Sequence, residues 1–166
     1  MKTLLIIAFS IFSLSLYSKN DRPLRNAYTL EIAANETQQY GMDVKESPYF
    51  VKEKVLQIYC GEKIFVECEI EGDSISHMKV VKNIIYPEKT VIIDFNQNSE
   101  NRKEISTDLR VKNPFNRKLS YKALMFTPIS QQWKRTSIIP IEPNLENFEM
   151  RPHAIVTLVL DGWKFD

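Results

Sequence analysis

The sequence contains few of the residues on which most catalytic sites depend. It has four glycines and two histidines in 166 residues. It contains no glycine-rich phosphate loop, no nucleophile elbow and no H-E-x-x-H zinc motif. Acid–base catalysis that relies on histidine therefore has little support. The sequence predicts a protein that is not an enzyme, with no catalytic residue and no cofactor.

The scarcity of histidine also limits the metal sites that could form. His77 adjoins Met78, and His153 lies three residues after Met150. Imidazole and thioether ligands together suit copper. The set is sparse, however, and a zinc site would need a more clustered group of ligands. We therefore predict that the protein binds no metal.

Cysteine is equally rare, with Cys60 and Cys68 the two present. They form no C-x-x-C motif, which excludes a thioredoxin-like activity. An even number of cysteines in an exported protein normally suggests a disulfide. If residues 61–63 turn a hairpin, however, Cys68 lies opposite Val55 or Leu56. Cys60 is then more than ~12 Å away along the strands, whereas a disulfide requires Cα atoms within about 7 Å. The spacing predicts free cysteines, with Cys68 as a buried core thiol.

No excess of charge of either sign is present. The chain has 22 Lys and Arg against 21 Asp and Glu. Removal of an N-terminal segment that contains Lys2 would bring the two counts level. Nucleic acids and anionic membrane surfaces attract proteins with basic patches. The balance of charge therefore argues against both as partners.

The sequence lacks an apolar run long enough to span a bilayer, which takes about 20 residues. The N-terminal "MKTLLIIAFSIFSLSLYSKN" has a positive residue, Lys2, followed by an apolar stretch from Leu4 to Leu16. This pattern predicts a signal peptide over residues 1–18, cleaved between Leu16 and Lys19. An uncleaved membrane anchor is the alternative. We expect export to the periplasm or the extracellular space, with no integral membrane span after cleavage.

Alternating apolar and polar residues dominate the rest of the chain and indicate β-strands. Short turn signals separate the runs, and no amphipathic helix is evident. We predict an all-β fold, a single immunoglobulin-like antiparallel β-sandwich of about 7–9 strands over residues 51–166. A weakly patterned N-terminal arm precedes it over residues 19–50. The predicted strands are Tyr28–Ala33, Lys54–Tyr59, Ile64–Glu71, Met78–Lys82, Thr90–Phe95, Ile105–Lys112, Lys118–Phe126, Ser137–Ile141 and His153–Leu160.

Two alternating runs flank an Asn-Pro pair in "LRVKNPFNRKLSYKALMF". Pairing Val111 with Leu119 brings the two apolar faces together, since a slip of one residue would expose one of them. This register leaves residues 114–116 as a three-residue loop, in which Asn116 takes a positive φ. We interpret the stretch as a hairpin whose loop is structural.

The segment "LSYKA" resembles a strand of immunoglobulin-like domains in which a tyrosine precedes the second cysteine by two residues. Tyr121 matches that tyrosine, and Ala123 stands where the cysteine would be. Cys68 could occupy the position of the first cysteine. The resemblance implies a fold without the usual disulfide between sheets, and it implies no function.

Exposed aromatic and basic residues are the candidates for binding. Trp133, Lys134 and Arg135 lie in "SQQWKRTS", a polar segment that looks like a loop. Phe115 lies at the tip of the predicted hairpin loop. Aromatic residues beside arginine or lysine are common contacts for partners. We therefore predict that these four residues contact a protein or a glycan.

The combined pattern favours an exported, non-catalytic binding or structural module that recognises another macromolecule. Besides a metal carrier built on the two histidine–methionine pairs, two alternatives remain open. One is a periplasmic inhibitor or immunity protein of a secreted enzyme. The other is a small hydrolase with a pair of carboxylates, such as Glu67 and Asp94. Because Glu67 alternates with core positions, a solvated strand face is the simpler interpretation of that carboxylate.

Overall fold

A computed structural model describes residues 23–166, so the predicted signal peptide lies outside the described residues. Fourteen strands and a single short 3-10 turn, Pro87–Lys89, make up the regular structure of these residues. The strands are β1 Leu24–Arg25, β2 Tyr28–Ala33, β3 Gln39–Val44, β4 Ser47–Pro48, β5 Phe50–Lys52, β6 Val55–Tyr59, β7 Glu62–Glu71, β8 Ser74–Val81, β9 Thr90–Asn98, β10 Ser106–Lys112, β11 Leu119–Phe126, β12 Trp133–Thr136, β13 Glu146–Arg151 and β14 Thr157–Phe165.

Two five-stranded antiparallel sheets pack face to face. Sheet I has the order β13-β10-β9-β7-β8, and sheet II has the order β12-β11-β14-β6-β5. Two further pairs, β1 with β4 and β2 with β3, lie outside these sheets. The prediction of an all-β sandwich is confirmed, with more strands than the 7–9 expected.

The core lies between the inner faces of the two sheets. Alternate residues along each strand are buried, because successive side chains point to opposite faces. Val66, Val91 and Ile93 from sheet I are fully buried, as are Leu56 and Leu160 from sheet II. The apolar alternation in the sequence thus becomes a single continuous core.

The segment predicted as an arm, residues 19–50, contains a hairpin that belongs to the core. Leu30 and Ile32 of β2 are each 5% exposed and join the main apolar cluster. The side chain of Gln97 fixes the hairpin to β9: it accepts from the N–H of Ala33 and donates to its carbonyl, both at 2.8 Å. β3 contributes one buried residue, Val44, which fits the weak apolar pattern of this segment.

The predicted hairpin between β10 and β11 is wrong. β10 pairs with β9 and β13 in sheet I, whereas β11 pairs with β14 and β12 in sheet II. Val111 lies opposite Ile93, and Leu119 lies opposite Phe165. The apolar faces of β10 and β11 still point towards each other, but across the core between the two sheets. Strands of two packed sheets show the same alternation of apolar and polar residues as two paired strands. Asn116 also lacks the predicted positive φ. Within residues 23–166, the non-glycine residues with a positive φ are Gln131 and Asn144.

Asn113 organises the crossing from sheet I to sheet II. It is completely buried, and its side-chain amide donates to the carbonyls of Arg117 at 2.7 Å, Ile141 at 3.1 Å and Glu142 at 3.1 Å. Its side-chain oxygen accepts from the N–H of Phe115 at 3.0 Å. One side chain therefore contacts four backbone groups where the chain passes between the sheets, and two of these, the Phe115 N–H and the Arg117 carbonyl, have no backbone partner within residues 23–166. The prediction that this stretch has a structural role is supported by these contacts.

Replacing Asn113 with alanine is expected to lower the free energy of unfolding by about 1–3 kcal/mol, because it leaves buried backbone groups without partners. Urea unfolding followed by circular dichroism measures the loss. Asn116→Ala is the matched control: Asn116 is exposed in the same loop, and its loss should stay within about 0.5 kcal/mol. Equal stability of the two variants would contradict this account of the crossing.

Both cysteines are free and Cys68 is a buried core thiol, which confirms the prediction; Cys60 is buried as well. The reason differs from the one expected. β6 and β7 lie in different sheets, so no hairpin joins them. The chain crosses between the sheets at Gly61, whose φ of 92° glycine adopts without steric cost. Cys68 faces the core from sheet I and Ala123 faces it from sheet II.

The two thiols are expected to resist alkylation in the native protein. Burial raises the pKa of Cys60 and of Cys68 to about 12, so the thiolate is scarce at neutral pH. Iodoacetamide labelling at pH 8, read by mass spectrometry, should be at least ~100-fold slower than in urea, because an accessible thiol has a pKa near 8.5. Rapid labelling of the folded protein would show that this part of the core opens readily.

Candidate binding surface

Trp133, Lys134 and Arg135 lie on an edge strand. The sequence predicted a loop here and a strand at 137–141, but the strand is β12, and the later segment forms a single bridge from Ile141 to Leu119. Pro140 contributes to this shift, since it cannot donate to a ladder. β12 ends sheet II and pairs with β11 alone.

The Trp133 side chain is 48% exposed and lies on the outer face of sheet II. It is opposite Phe126, and their ring centroids are 5.5 Å apart at an angle of 53°. Phe126 thus supports one part of the indole and leaves the rest open. Large, partly supported aromatic side chains of this kind are frequent anchors in protein interfaces.

The surroundings of β12 are electropositive. Lys134 and Arg135 are exposed, and neither forms an ion pair within residues 23–166. No acidic residue occurs between positions 127 and 141. Burial and then the nearby cations Arg151 and Lys134 lower the pKa of His153. Lys134 and Arg135 therefore leave positive charge at this edge, whereas Arg151 is paired with Glu149.

Phe115, the fourth predicted contact residue, is not part of this surface. It is 4% exposed, and its ring packs edge-to-face on Phe165 with centroids 5.0 Å apart. The prediction placed it at the tip of a hairpin. Because β10 and β11 belong to different sheets, the chain crosses the end of the sandwich there and the ring enters the core. Phe115 is therefore a structural residue.

A second edge strand, β13, was not predicted from the sequence. It ends sheet I, and its outer face exposes Phe148 at 49% and Met150 at 59%. The guanidinium of Arg110 lies over the Phe148 ring, 4.8 Å from its centroid. Glu149 points inward and is buried beside Arg151, with which it forms a salt bridge. A charged residue at an inward position interrupts the apolar alternation, which is why the pattern was missed.

The segment that follows β12 joins the two edges. The N–H of Ile139 donates to the Glu149 carboxylate at 3.1 Å, and the Asn147 side chain donates to the Ile139 carbonyl at 3.2 Å. Arg151 donates to the carbonyl of Ser137 at 2.5 Å. β12 and β13 consequently lie on the same side of the sandwich. A cavity of about 10 Å³ remains between them, enough for roughly one water molecule.

Exposed apolar side chains are concentrated in the part of the chain that forms and connects these two edge strands. Of the twelve large apolar residues most exposed in residues 23–166, six fall between positions 129 and 150. Large exposed apolar side chains are candidates for contact with a partner. We call these six residues the edge surface: Ile129, Trp133, Ile139, Leu145, Phe148 and Met150.

The candidate carboxylate pair does not have the geometry of a glycosidase. Glu67 and Asp94 lie on adjacent strands, four positions apart in the register, or about 13 Å. Glycosidases hold their carboxyl groups about 5–9.5 Å apart. Lys79 and Lys89 lie 3.3 and 3.4 Å from the Glu67 carboxylate, and Lys63 lies 3.5 Å from that of Asp94. Each carboxylate is thus an ion-pair partner on the face of sheet I.

The two histidine–methionine pairs are also far apart. His77 is exposed on β8 and Met78 points into the core, whereas Met150 and His153 lie at β13. β8 and β13 are opposite edges of sheet I, four strand spacings apart, or about 19 Å. Residues 23–166 contain no group of three or more His, Cys, Asp or Glu side chains placed to hold a metal ion.

No protein-family model, curated protein or solved structure matches the chain. Among the described residues, no helix has the length and apolar character needed to cross a membrane. A functional proposal therefore depends on the geometry and chemistry of the edge surface.

Proposed function

We propose that this protein is an exported, non-catalytic module that binds a protein partner through the edge surface. The observation that carries the proposal is the concentration of six exposed apolar side chains in residues 129–150, the part of the chain that forms and connects the two edge strands β12 and β13. Removing apolar surface from water contributes about 25 cal/mol per Å², so a partner that covers these side chains gains stability. Export is supported by the signal-peptide pattern of residues 1–18.

A protein is favoured over a glycan by the composition of this surface. Trp133 and Arg135 belong to the residue types that dominate protein interfaces. A glycan site needs several convergent polar side chains around its aromatic residue. The other exposed large residues on this side, such as Ile139 and Phe148, are apolar instead.

Site-specific photo-crosslinking tests the proposal. A photoreactive phenylalanine analogue is placed at Trp133 or at Phe148, and the full chain is expressed in cells that naturally produce it. Ile85 is the matched control, because it is 72% exposed but lies outside the edge surface. We expect the same protein to be crosslinked from positions 133 and 148 and not from 85. Equal crosslinking at all three positions, or retention on glycans without a protein crosslink, would refute the proposal.

Signal cleavage is tested separately. The mature protein, recovered outside the cytoplasm, is expected to begin between Leu16 and Lys19, because the apolar stretch before this point is too short to remain as a membrane span. N-terminal sequencing or intact mass measurement reads the cleavage site. Membrane-embedded protein that retains Met1 would contradict it.

A further inference from the structure

The free edge of β12 is suited to strand addition. We infer that the partner contributes an extended, acidic segment that pairs with β12, an inference that rests on the proposed function above. Strand addition is a common mode of peptide recognition, in which backbone hydrogen bonds supply affinity and alternate side chains supply specificity.

The backbone of β12 has unpaired groups available for such a segment. In an antiparallel pair, alternate residues direct both their N–H and their C=O away from the neighbouring strand. β12 has four residues and pairs with β11 alone. Within the part of the chain that the structure describes, its backbone forms no hydrogen bonds beyond that ladder. Two residues therefore present donors and acceptors to the outside.

The other edges of the two five-stranded sheets are partly occupied, short or irregular. The side chains of Asn147 and Glu149 hold the 137–139 segment against β13. On β8, the Lys54 ammonium donates to the Ile75 carbonyl at 2.8 Å. β5 has three residues and an irregular register with β6. β12 differs from all three because it combines an open edge with an exposed tryptophan.

The charge of the edge specifies the partner. Lys134 and Arg135 are neighbours in a strand, so their side chains point to opposite faces. Both lack an acidic partner in residues 23–166. A paired segment would place its own side chains about 5 Å from theirs, where opposite charges stabilise the pair. Acidic residues on the added strand complement both cations, and an apolar residue opposite Trp133 complements the indole.

A competing explanation is that the cations only protect the edge. Lysine on an edge strand discourages unwanted pairing between molecules. Protection requires no preference for any partner, whereas recognition requires selection of acidic segments. The two explanations therefore differ in a measurable way.

Selection from a random heptapeptide phage library on the mature protein makes this measurement. We expect Asp and Glu to be enriched about threefold or more in the selected peptides. The double variant K134E/R135E should reverse the enrichment towards Lys and Arg. K82E/K103E is the control: it changes net charge equally, at two exposed lysines outside β12. Its peptides should match those of the unmodified protein.

Backbone methylation of a selected peptide tests the pairing itself. In a paired peptide, every second residue directs its N–H towards β12. Methylation of these N–H groups should weaken binding about tenfold or more, since it removes hydrogen bonds to β12. Methylation of the other set should have little effect. Failure to select peptides, lack of charge preference, or equal tolerance of both methylations would overturn the inference. None of these results bears on the crosslinking pattern, so the proposed function is judged separately.

Discussion

An Arg25→Ala variant is expected to lose about 3–5 kcal/mol of unfolding free energy, because the Glu62 carboxylate is left without its counter-charge. Arg25 is 2% exposed. It forms a salt bridge with Glu62 and donates to the Gln57 carbonyl at 2.7 Å. Its guanidinium also lies between two rings, 4.4 Å from the centroid of Tyr49 and 4.9 Å from that of Tyr59.

Urea unfolding of Arg25→Ala measures this loss, with two variants for comparison. Arg25→Lys keeps the charge but not the planar, two-pronged contact, so its loss should be intermediate. Arg135→Ala removes an exposed arginine and should change stability by no more than about 0.5 kcal/mol. A loss below about 1 kcal/mol in Arg25→Ala would mean that the N-terminal segment separates from the sandwich at little cost.

The second large effect is expected at Tyr121, whose replacement by alanine should cost about 3–5 kcal/mol. The side chain is 7% exposed and stacks on Trp163, with centroids 4.5 Å apart and an interplanar angle of 26°. Its loss leaves a cavity beside a large buried ring, which the rigid strands around it cannot fill.

Tyr121→Phe separates the ring from its hydroxyl. It retains the stacked ring and should lose about 1 kcal/mol or less. Urea unfolding measures both variants, and the Trp163 emission should shift to longer wavelength in Tyr121→Ala alone. Equal stability of the two variants would show that the ring contributes little to this end of the sandwich.

Alternation in the sequence predicted which residues face the core but not which strands are neighbours. The predicted strand Tyr28–Ala33 coincides with β2, and the predicted burial of Tyr121 is confirmed. The pairing of β10 with β11 was wrong, because a period of two specifies the face of a strand and not its partner. Two strands in one sheet and two strands in opposing sheets produce the same pattern.

The candidate binding surface was also predictable only in part, because local sequence indicates exposure but not the contacts made after folding. The exposure of Trp133, Lys134 and Arg135 follows from their polar neighbours, although those residues form a strand. β13 could not be found, because the inward Glu149 is accommodated by Arg151 and by backbone groups from another segment. Such compensation exists only after folding, so local sequence cannot reveal it.

The position of β14 determines when folding can be completed. The last nine-residue strand lies between β11 and β6 at the centre of sheet II. Until it is present, β11 and β6 are both left with an unpaired edge facing an empty gap two strand spacings wide, about 10 Å. A nascent chain from which β14 has not yet emerged therefore cannot complete sheet II, however many of the earlier strands have already formed.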